Sequence, residues 1–334
     1  MEQVTKDAVT PTVMRTFPTA SNRGDVSMRE VIDAYMASYT GRDSSMTQRL
    51  GYWVDVIADV RLKDIDGDLI ADHLDQLAAQ PVRKYVGKDP EGRRLYRAHH
   101  VRSGSTVNRY RTALSAVLTW ARHRRLTPKG WHNPAHDVKG ASEGSGRTRF
   151  LSKVECDRLL KVAHISAWPK LHLLVLMAIT TGARRSELLG LRYRDLVVPD
   201  DKVLPGTATL PRTKNGDARC LPLTPAVCAE IRRHAVGAPD ALLFPGKFRV
   251  DRPYAIEAAW RNALKIARIE GVRFHDLRHT CASYLAQSGA SLLEVADVLG
   301  HRSLAMTKRY AHLTVNSKTK LVQNVLGDIG EPRG

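Results

Sequence analysis

The chain has 334 residues, more than one compact core usually holds, so its length predicts two domains. Lysine and arginine number 52 against 34 acidic residues, and the resulting net charge of +18 favours a polyanionic partner, with nucleic acid ahead of an anionic membrane. No apolar run approaches the ~20 residues of a membrane span, and no signal peptide is evident. Four widely spaced cysteines without a CxxC pair fit a reducing compartment. We therefore expect a cytoplasmic protein that does not contact membranes.

The N-terminal half is predicted to be a helical bundle behind a mobile leader. Residues 1–25 are rich in Thr, Pro, Ser and Asn and have little apolar periodicity. Ser27 is a suitable N-cap for the first of four segments whose apolar residues recur at three- and four-residue steps. These segments predict a helical domain over residues 26–138.

A basic segment over residues 81–104 interrupts the helices. Short Tyr-, Val- and Leu-containing stretches flank the turn 89–92, which predicts a β-hairpin. A solvated surface loop is the alternative, but the one-sided charge and interleaved tyrosines favour contact with phosphates. The residues expected to contact DNA, two of them outside this segment, are Arg83, Lys84, Lys88, Arg93, Arg94, Arg97, Arg109 and Lys139.

The second half follows a predicted linker. Residues 139–149 are rich in Gly and Ser, and although 140–144 match a GxSxG hydrolase elbow, the strand and helix that the motif requires are missing. Helices are predicted from Leu151 and from Leu171, then two strands joined by an Asn-Gly turn, then more helices. The predicted fold is mainly α with a small β-hairpin or sheet, in the α+β class.

The sequence predicts neither a metal site nor a cofactor. It lacks the glycine-rich loops that bind nucleotide phosphates. His275 and His279 lie four residues apart, but no zincin glutamate accompanies them and Arg278 would place a cation beside the metal. The pairs His99/His100 and His132/His136 are placed in loops without carboxylate or cysteine partners nearby.

Several cations and one tyrosine stand at the ends of predicted elements. Arg184 and Glu187 share a helix face, and His275 and Arg278 share another. A short helix capped by Ser303 is predicted to carry the tyrosine. The remaining members of this set are Lys214 at the tip of the strand turn, His301 after a helix end, and Tyr310.

These residues lie in the stretches TGARRSEL, TKNGDARCLPL, HDLRHTCASYL, LGH and RYAHL, which occur in the order and spacing found in the tyrosine site-specific recombinases, or phage-type integrases. The chain resembles that family over about residues 27–322. The resemblance implies a core-type DNA-binding domain at 26–138 and a catalytic domain at 150–316. It also implies that a tail helix at 317–334 packs into a neighbouring subunit, although periodicity alone equally allows it to fold back on its own domain.

The resemblance assigns a role to each residue of the set. Tyr310 would attack a DNA phosphodiester to give a 3′-phosphotyrosine, while Arg184 and Arg278 hold the charged phosphate. His275 would assist proton transfer, and His301 would donate a hydrogen bond to the phosphate. The remaining assignments are protonation of the departing 5′ oxygen by Lys214 and orientation of the cations by Glu187 and Asp195.

The implied function is site-specific recombination that integrates or excises a mobile element, such as a phage or prophage. Its partners would be double-stranded DNA attachment sites, a homotetramer formed on that DNA, and an accessory directionality factor. Two alternatives stay open: a type IB topoisomerase-like enzyme that relaxes DNA, and a catalytically silent DNA-binding regulator. Each site residue taken alone also has an ordinary structural explanation, such as Tyr310 as a packing aromatic.

Overall fold

The computed structural model describes residues 23–41, 43–144, 149–200, 204–210, 218–234, 237–314, 322–323, 325–326 and 329. The chain divides into two compact units, residues 1–146 and 147–334. Helices dominate both, and each unit holds one small antiparallel sheet, so the predicted α+β class is confirmed. Among the described residues, no helix is long and apolar enough to cross a membrane.

Unit 1 is a four-helix core with a protruding hairpin. Its elements are α1 (Met28–Ala37), α2 (Met46–Ile57), α3 (Gly67–Ala79), β1 (Pro81–Lys88), β2 (Arg94–Val101) and α4 (Gly104–His123), with 3₁₀ turns at Leu62–Asp64 and Pro134–His136. Ser27 caps α1 in a capping box, as the sequence predicts. Trp53 is fully buried at the centre, and its Nε1 donates to the carbonyl of Tyr110 at 3.0 Å.

Both ends of unit 1 show more order than the sequence suggests. The amide of Gly24, inside the predicted leader, donates to the carbonyl of Leu126 at 2.7 Å; residues 1–22 lie outside the described part. In the predicted linker, the amide of Ala141 donates to Asn108 Oδ1 at 2.8 Å, and Asn108 Nδ2 donates to Glu143 Oε1 at 2.7 Å. These bonds hold the start of the linker segment against α4, while residues 145–148 are not described.

Unit 2 surrounds one buried helix. Its elements are α5 (Lys153–His164), α6 (Leu171–Thr181), α7 (Arg185–Leu189), β3 (Leu196–Val197), β4 (Gly206–Leu210), β5 (Arg219–Leu223), α8 (Pro225–Arg233), α9 (Glu257–Ile266), α10 (Asp276–Gln287), α11 (Leu292–Leu299) and α12 (Leu304–Thr307), with 3₁₀ helices at Tyr193–Asp195 and Lys308–Thr314. The predicted strand pair forms β4 and β5, in register at Ala208 and Leu221, and the short β3 adds an edge.

The apolar sequence of α6 places it in the core, and its end is fixed by a glycine. Gly182 caps α6 in the left-handed conformation, with φ of +60°. A Cβ at this position would lie 2.5 Å from Leu299 Cδ2 and 3.2 Å from Cys281 Sγ. Glycine is therefore required both for the turn and for the close approach of α10 and α11.

The segment around Tyr310 differs from the prediction. Ser303 caps α12 as expected, but α12 ends at Thr307 and Tyr310 lies in the following 3₁₀ helix. In a 3₁₀ helix, residues three apart share one side, so Tyr310 and Leu313 both pack on the cluster around α10 and α11. The tighter helix thereby buries the tyrosine ring.

We predict that Gly182→Ala lowers the free energy of unfolding by about 2–5 kcal/mol, because left-handed strain and overpacking against Leu299 add together. Gly271 in the same unit is the matched control: its φ is +67°, but a Cβ there would meet nothing within 4 Å. Gly271→Ala should cost only about 1–2 kcal/mol. Equal destabilisation of the two variants in denaturant unfolding would contradict the close-packing argument.

Candidate active site

Arg184 and Glu187 form the first ion pair of the site. Arg184 precedes α7, where its amide donates to Glu187 Oε2 at 2.8 Å and its Nη1 donates to Oε1 at 2.7 Å. The Glu187 side chain is 6% exposed. Burial opposes its ionisation, but the hydrogen bonds from Arg184 outweigh burial and hold the pKa of Glu187 below its usual range. Glu187 is thus a buried anion that holds Arg184 in place.

Arg219, at the start of β5, is a further cation of this cluster that sequence reasoning missed. Its Nη1 donates to the carbonyl of Leu299 at 2.7 Å and its Nη2 to that of Val298 at 2.6 Å. These carbonyls lie at the negative end of α11. Nη1 also lies 3.8 Å from Glu187 Oε2. Arg219 therefore ties the strand to the helix end from which His301 follows.

Arg278 is the most buried of these arginines. It lies on α10, is 4% exposed, and donates from Nη1 to the carbonyl of Gly182 at 2.7 Å. Burial, followed by the charges of Arg184 and Arg219, lowers the pKa of Arg278 to about 10. The group remains charged at neutral pH, so three guanidinium groups share the field of Glu187.

The histidines beside this cluster are held neutral at pH 7. His301 Nδ1 lies 2.7 Å from Thr307 Oγ1, and burial together with Arg278 lowers the pKa of His301 to about 4. His275 stands at the start of α10, where desolvation and then Arg278 also lower its pKa. Burial, reinforced by the positive charge nearby, thus favours the unprotonated form of both imidazoles.

Tyr310 is paired with His279. Its hydroxyl lies 2.5 Å from His279 Nδ1, and the tyrosine is only 5% exposed. Burial raises the pKa of Tyr310 against the opposing charges of Arg309 and Arg278. Burial and then His275 lower the pKa of His279 to about 4. We assign the phenol as donor to a neutral imidazole, an arrangement in which the proton stays on the tyrosine.

The structure thus places His279, rather than His275, at the hydroxyl of Tyr310. In the sequence, His279 stands out only as half of the rejected metal pair with His275. The available signal was its position four residues after His275 on one helix; the two rings lie 5.4 Å apart. Asp195 makes a local contact instead, accepting from the amide of Arg192 at 2.8 Å. Lys214 lies outside the described residues.

This arrangement suits a tetrahedral oxyanion. Guanidinium groups remain charged at any working pH and offer planar donor pairs to phosphate oxygens. A bound anion would also offset the positive field and raise the pKa of the neighbouring histidines. The site can therefore couple anion binding to proton acceptance beside a tyrosine.

Known proteins share sequence similarity with this chain. The model described as the phage integrase family matches residues 149–317, half of the chain. The integrase of Salmonella phage P22 is 26% identical over 298 residues, covering 83% of this chain and 73% of that protein. A shufflon-specific DNA recombinase of Escherichia coli is 32% identical over 212 residues, covering 63% of this chain and 52% of its own length.

Solved structures share the fold. The Tn1549 transposon integrase, in complex with a circular intermediate DNA, superposes with a TM-score of 0.63 at 16% identity, covering 90% of this chain and 99% of that one. A lambda integrase dimer bound to a COC′ core site gives a TM-score of 0.60 at 18% identity, covering 85% and 95%. At these identities the likeness establishes the fold alone.

We predict that unit 2 loses stability as the pH falls from about 7 to about 4. An unfolded chain protonates its histidines near a pKa of about 6.5, whereas His279 and His301 resist protonation down to about 4 when folded. The unfolded state therefore binds more protons in this window, and the free energy of unfolding decreases.

Denaturant unfolding at several pH values checks this expectation. His279→Gln removes one of the titrating groups and should flatten the pH dependence, whereas His312→Gln, at an exposed position two residues beyond Tyr310, should not. Identical slopes for His279→Gln and the wild type would contradict the shift.

Proposed function

The chain belongs to the phage integrase family of tyrosine recombinases, and on this premise we propose that it cleaves and rejoins DNA through a 3′-phosphotyrosine on Tyr310, to integrate or excise a mobile element. One observation carries the proposal: Arg184, Arg219 and Arg278 converge beside a tyrosine whose hydroxyl is already hydrogen-bonded to His279. A regulator that kept only the fold would have no need of this set.

The reaction follows from these contacts. Arg184 and Arg278 would bind the non-bridging oxygens of the scissile phosphate and stabilise the charge that grows in the transition state. The phosphate charge raises the pKa of His279, which then accepts the phenol proton. The Tyr310 oxygen forms a bond to phosphorus as the bond to the 5′ oxygen breaks. The 5′ oxygen needs a proton, for which the family resemblance assigns Lys214.

The hairpin of unit 1 supports DNA binding through its charge pattern. Lys84 faces Arg97 and Lys88 faces Arg94 across the strands, so like charges lie directly opposite each other. Such pairs destabilise an isolated sheet. A two-stranded ribbon has little stability of its own, and the strands are exposed along nearly their whole length. We expect DNA phosphates to supply the missing counter-charge, since the major groove admits a two-stranded ribbon.

Further contacts orient the hairpin for this role. Arg102 fixes its base, donating from Nη1 to the carbonyls of Leu77 and Gln80 at 3.1 and 3.0 Å. At the turn, Arg93 is engaged by Asp89 and Glu91, so it is a weaker candidate for phosphate contact than the sequence suggests. The remaining proposed residues are placed as follows: Arg83 on β1, Arg109 in a cleft at the foot of the hairpin, and Lys139 in a separate cleft lined also by aspartates.

Assembly as a homotetramer on paired attachment sites belongs to the same proposal, together with an accessory directionality factor. Among the described tail residues, four apolar side chains are exposed by 50–75%. They are Val322, Val325, Leu326 and Ile329. An apolar stripe that unit 2 does not cover is consistent with packing into a neighbouring subunit.

Trapping a covalent complex tests the chemistry. On a nicked duplex carrying the attachment site, wild-type protein should accumulate a 3′-phosphotyrosyl adduct, and Tyr310→Phe should form none while retaining DNA binding. His279→Gln should slow adduct formation by about 10²- to 10⁴-fold, the usual effect of losing a positioned proton acceptor.

Tyr254→Phe is the matched control, because Tyr254 stacks on Trp168 through its ring alone and should keep full activity. An adduct in Tyr310→Phe would refute the nucleophile. Relaxation of supercoils without any strand exchange would instead indicate a topoisomerase.

A second prediction concerns the lysines of the hairpin. Lys84→Thr with Lys88→Thr removes two like-charge pairs, so the fold should be as stable as the wild type or more so. DNA affinity should nevertheless fall, and the slope of log K against log salt should decrease by about 2. A control with the same charge change, Lys129→Thr with Lys161→Thr at exposed positions outside the hairpin, should have a smaller effect. Equal losses in both doubles would show that net charge alone matters.

A further inference from the structure

A second polar cluster lies in unit 2, formed by side chains that are not part of the candidate active site. His164 ends α5, His172 is the second residue of α6, and Glu230 lies on α8. One potential ligand atom from each residue lies within 4.8 Å of the others. The rings of His164 and His172 are 5.1 Å apart. Distant parts of the sequence thus meet as two imidazoles and a carboxylate.

The polar atoms of this cluster lie close together, but hydrogen bonds do not satisfy all of them. His172 Nδ1 lies 3.1 Å from Glu230 Oε1, and His234 Nε2 lies 3.6 Å from the same oxygen. Both nitrogens are nevertheless buried, and neither makes a hydrogen bond within the described part of the chain. The Glu230 side chain is 8% exposed. Buried polar atoms without partners are uncommon and call for a ligand.

We propose that His164, His172 and Glu230 bind a zinc ion. Imidazole nitrogen and carboxylate oxygen are donors that zinc takes at about 2.0–2.2 Å. Two ligands of a tetrahedral zinc lie about 3.3 Å apart with their lone pairs directed at the metal instead of at each other. The contact between His172 Nδ1 and Glu230 Oε1 has this length and lacks a hydrogen bond.

The surroundings of the cluster are compatible with an ion that links separate helices. Arg233 Nη1 donates to Glu230 Oε2 at 3.5 Å, which orients the carboxylate and leaves Oε1 towards the imidazoles. His164 is exposed, so the ion has a path from solvent to the buried carboxylate. The positive charges of Arg233 and Lys170 nearby will limit the affinity. Bound zinc would link the corner between α5 and α6 to α8.

Elemental analysis of untagged, full-length protein, dialysed after incubation with Zn²⁺, tests the site. Wild-type protein should retain one zinc per chain, and zinc at about 100 times its Kd should raise the Tm by about 5–10 °C. His164→Ala should abolish both effects without unfolding the chain, because His164 is exposed. Glu230→Gln should also lose zinc. Cobalt substitution should give the visible spectrum of a four-coordinate ion in the wild type only.

His132→Ala is the control. His132 Nε2 lies 2.9 Å from Asp137 Oδ2 on the surface, and among the described residues no third potential ligand joins this pair, so its loss should leave zinc retention unchanged. The proposal is overturned if wild-type protein retains no zinc, or if His164→Ala and Glu230→Gln retain as much as the wild type. Covalent trapping of DNA by Tyr310 is scored separately, so either outcome leaves that assignment standing.

Discussion

The hydrogen bond from Arg278 to the carbonyl of Gly182 joins the first turn of α10 to the end of the buried helix α6, and the candidate site of unit 2 is built around it. The carbonyl is available because Gly182 turns the chain in a conformation that other residues adopt only with strain. The same turn admits Leu299 from α11. A charged group this deeply buried is costly unless something balances it. The balance here is partial, since a neutral carbonyl is the group that accepts from Arg278.

Burial and this partly balanced charge together explain the state of the neighbouring groups. Three guanidinium groups share Glu187, and their field helps to hold the pKa of His301 near 4. Around Tyr310 the positive field favours the phenolate, but burial outweighs it and favours the neutral phenol. The phenol of Tyr310 and the imidazole of His279 are therefore in contact and both neutral. Under the proposed mechanism, an anion bound at the arginines would change both conditions, so that binding of the scissile phosphate and activation of the tyrosine would be one electrostatic event.

The sequence was sufficient to predict the structural elements that depend on local patterns of residues. Apolar spacing identified the long helices, and Ser27 and Ser303 were recognisable as N-caps because a serine directly before a helical segment is a local pattern. Contacts between distant segments could not be found this way. His279 meets Tyr310 across 31 residues, and Arg219 meets Leu299 across 80. Only the packing of α10 and α11 brings these groups together.

The hairpin and the arginine cluster carry excess positive charge in different environments. Lys84 and Arg97 repel each other in solvent, where salt at physiological strength screens charges over about 8 Å. Arg278 is buried, and screening reaches it far less. Higher salt should therefore weaken the hold on DNA while leaving the chemistry of bound DNA nearly unchanged. Under the proposed mechanism, binding and cleavage both depend on positive charge that faces the same polyanion, and the burial of that charge determines how strongly salt affects each of them.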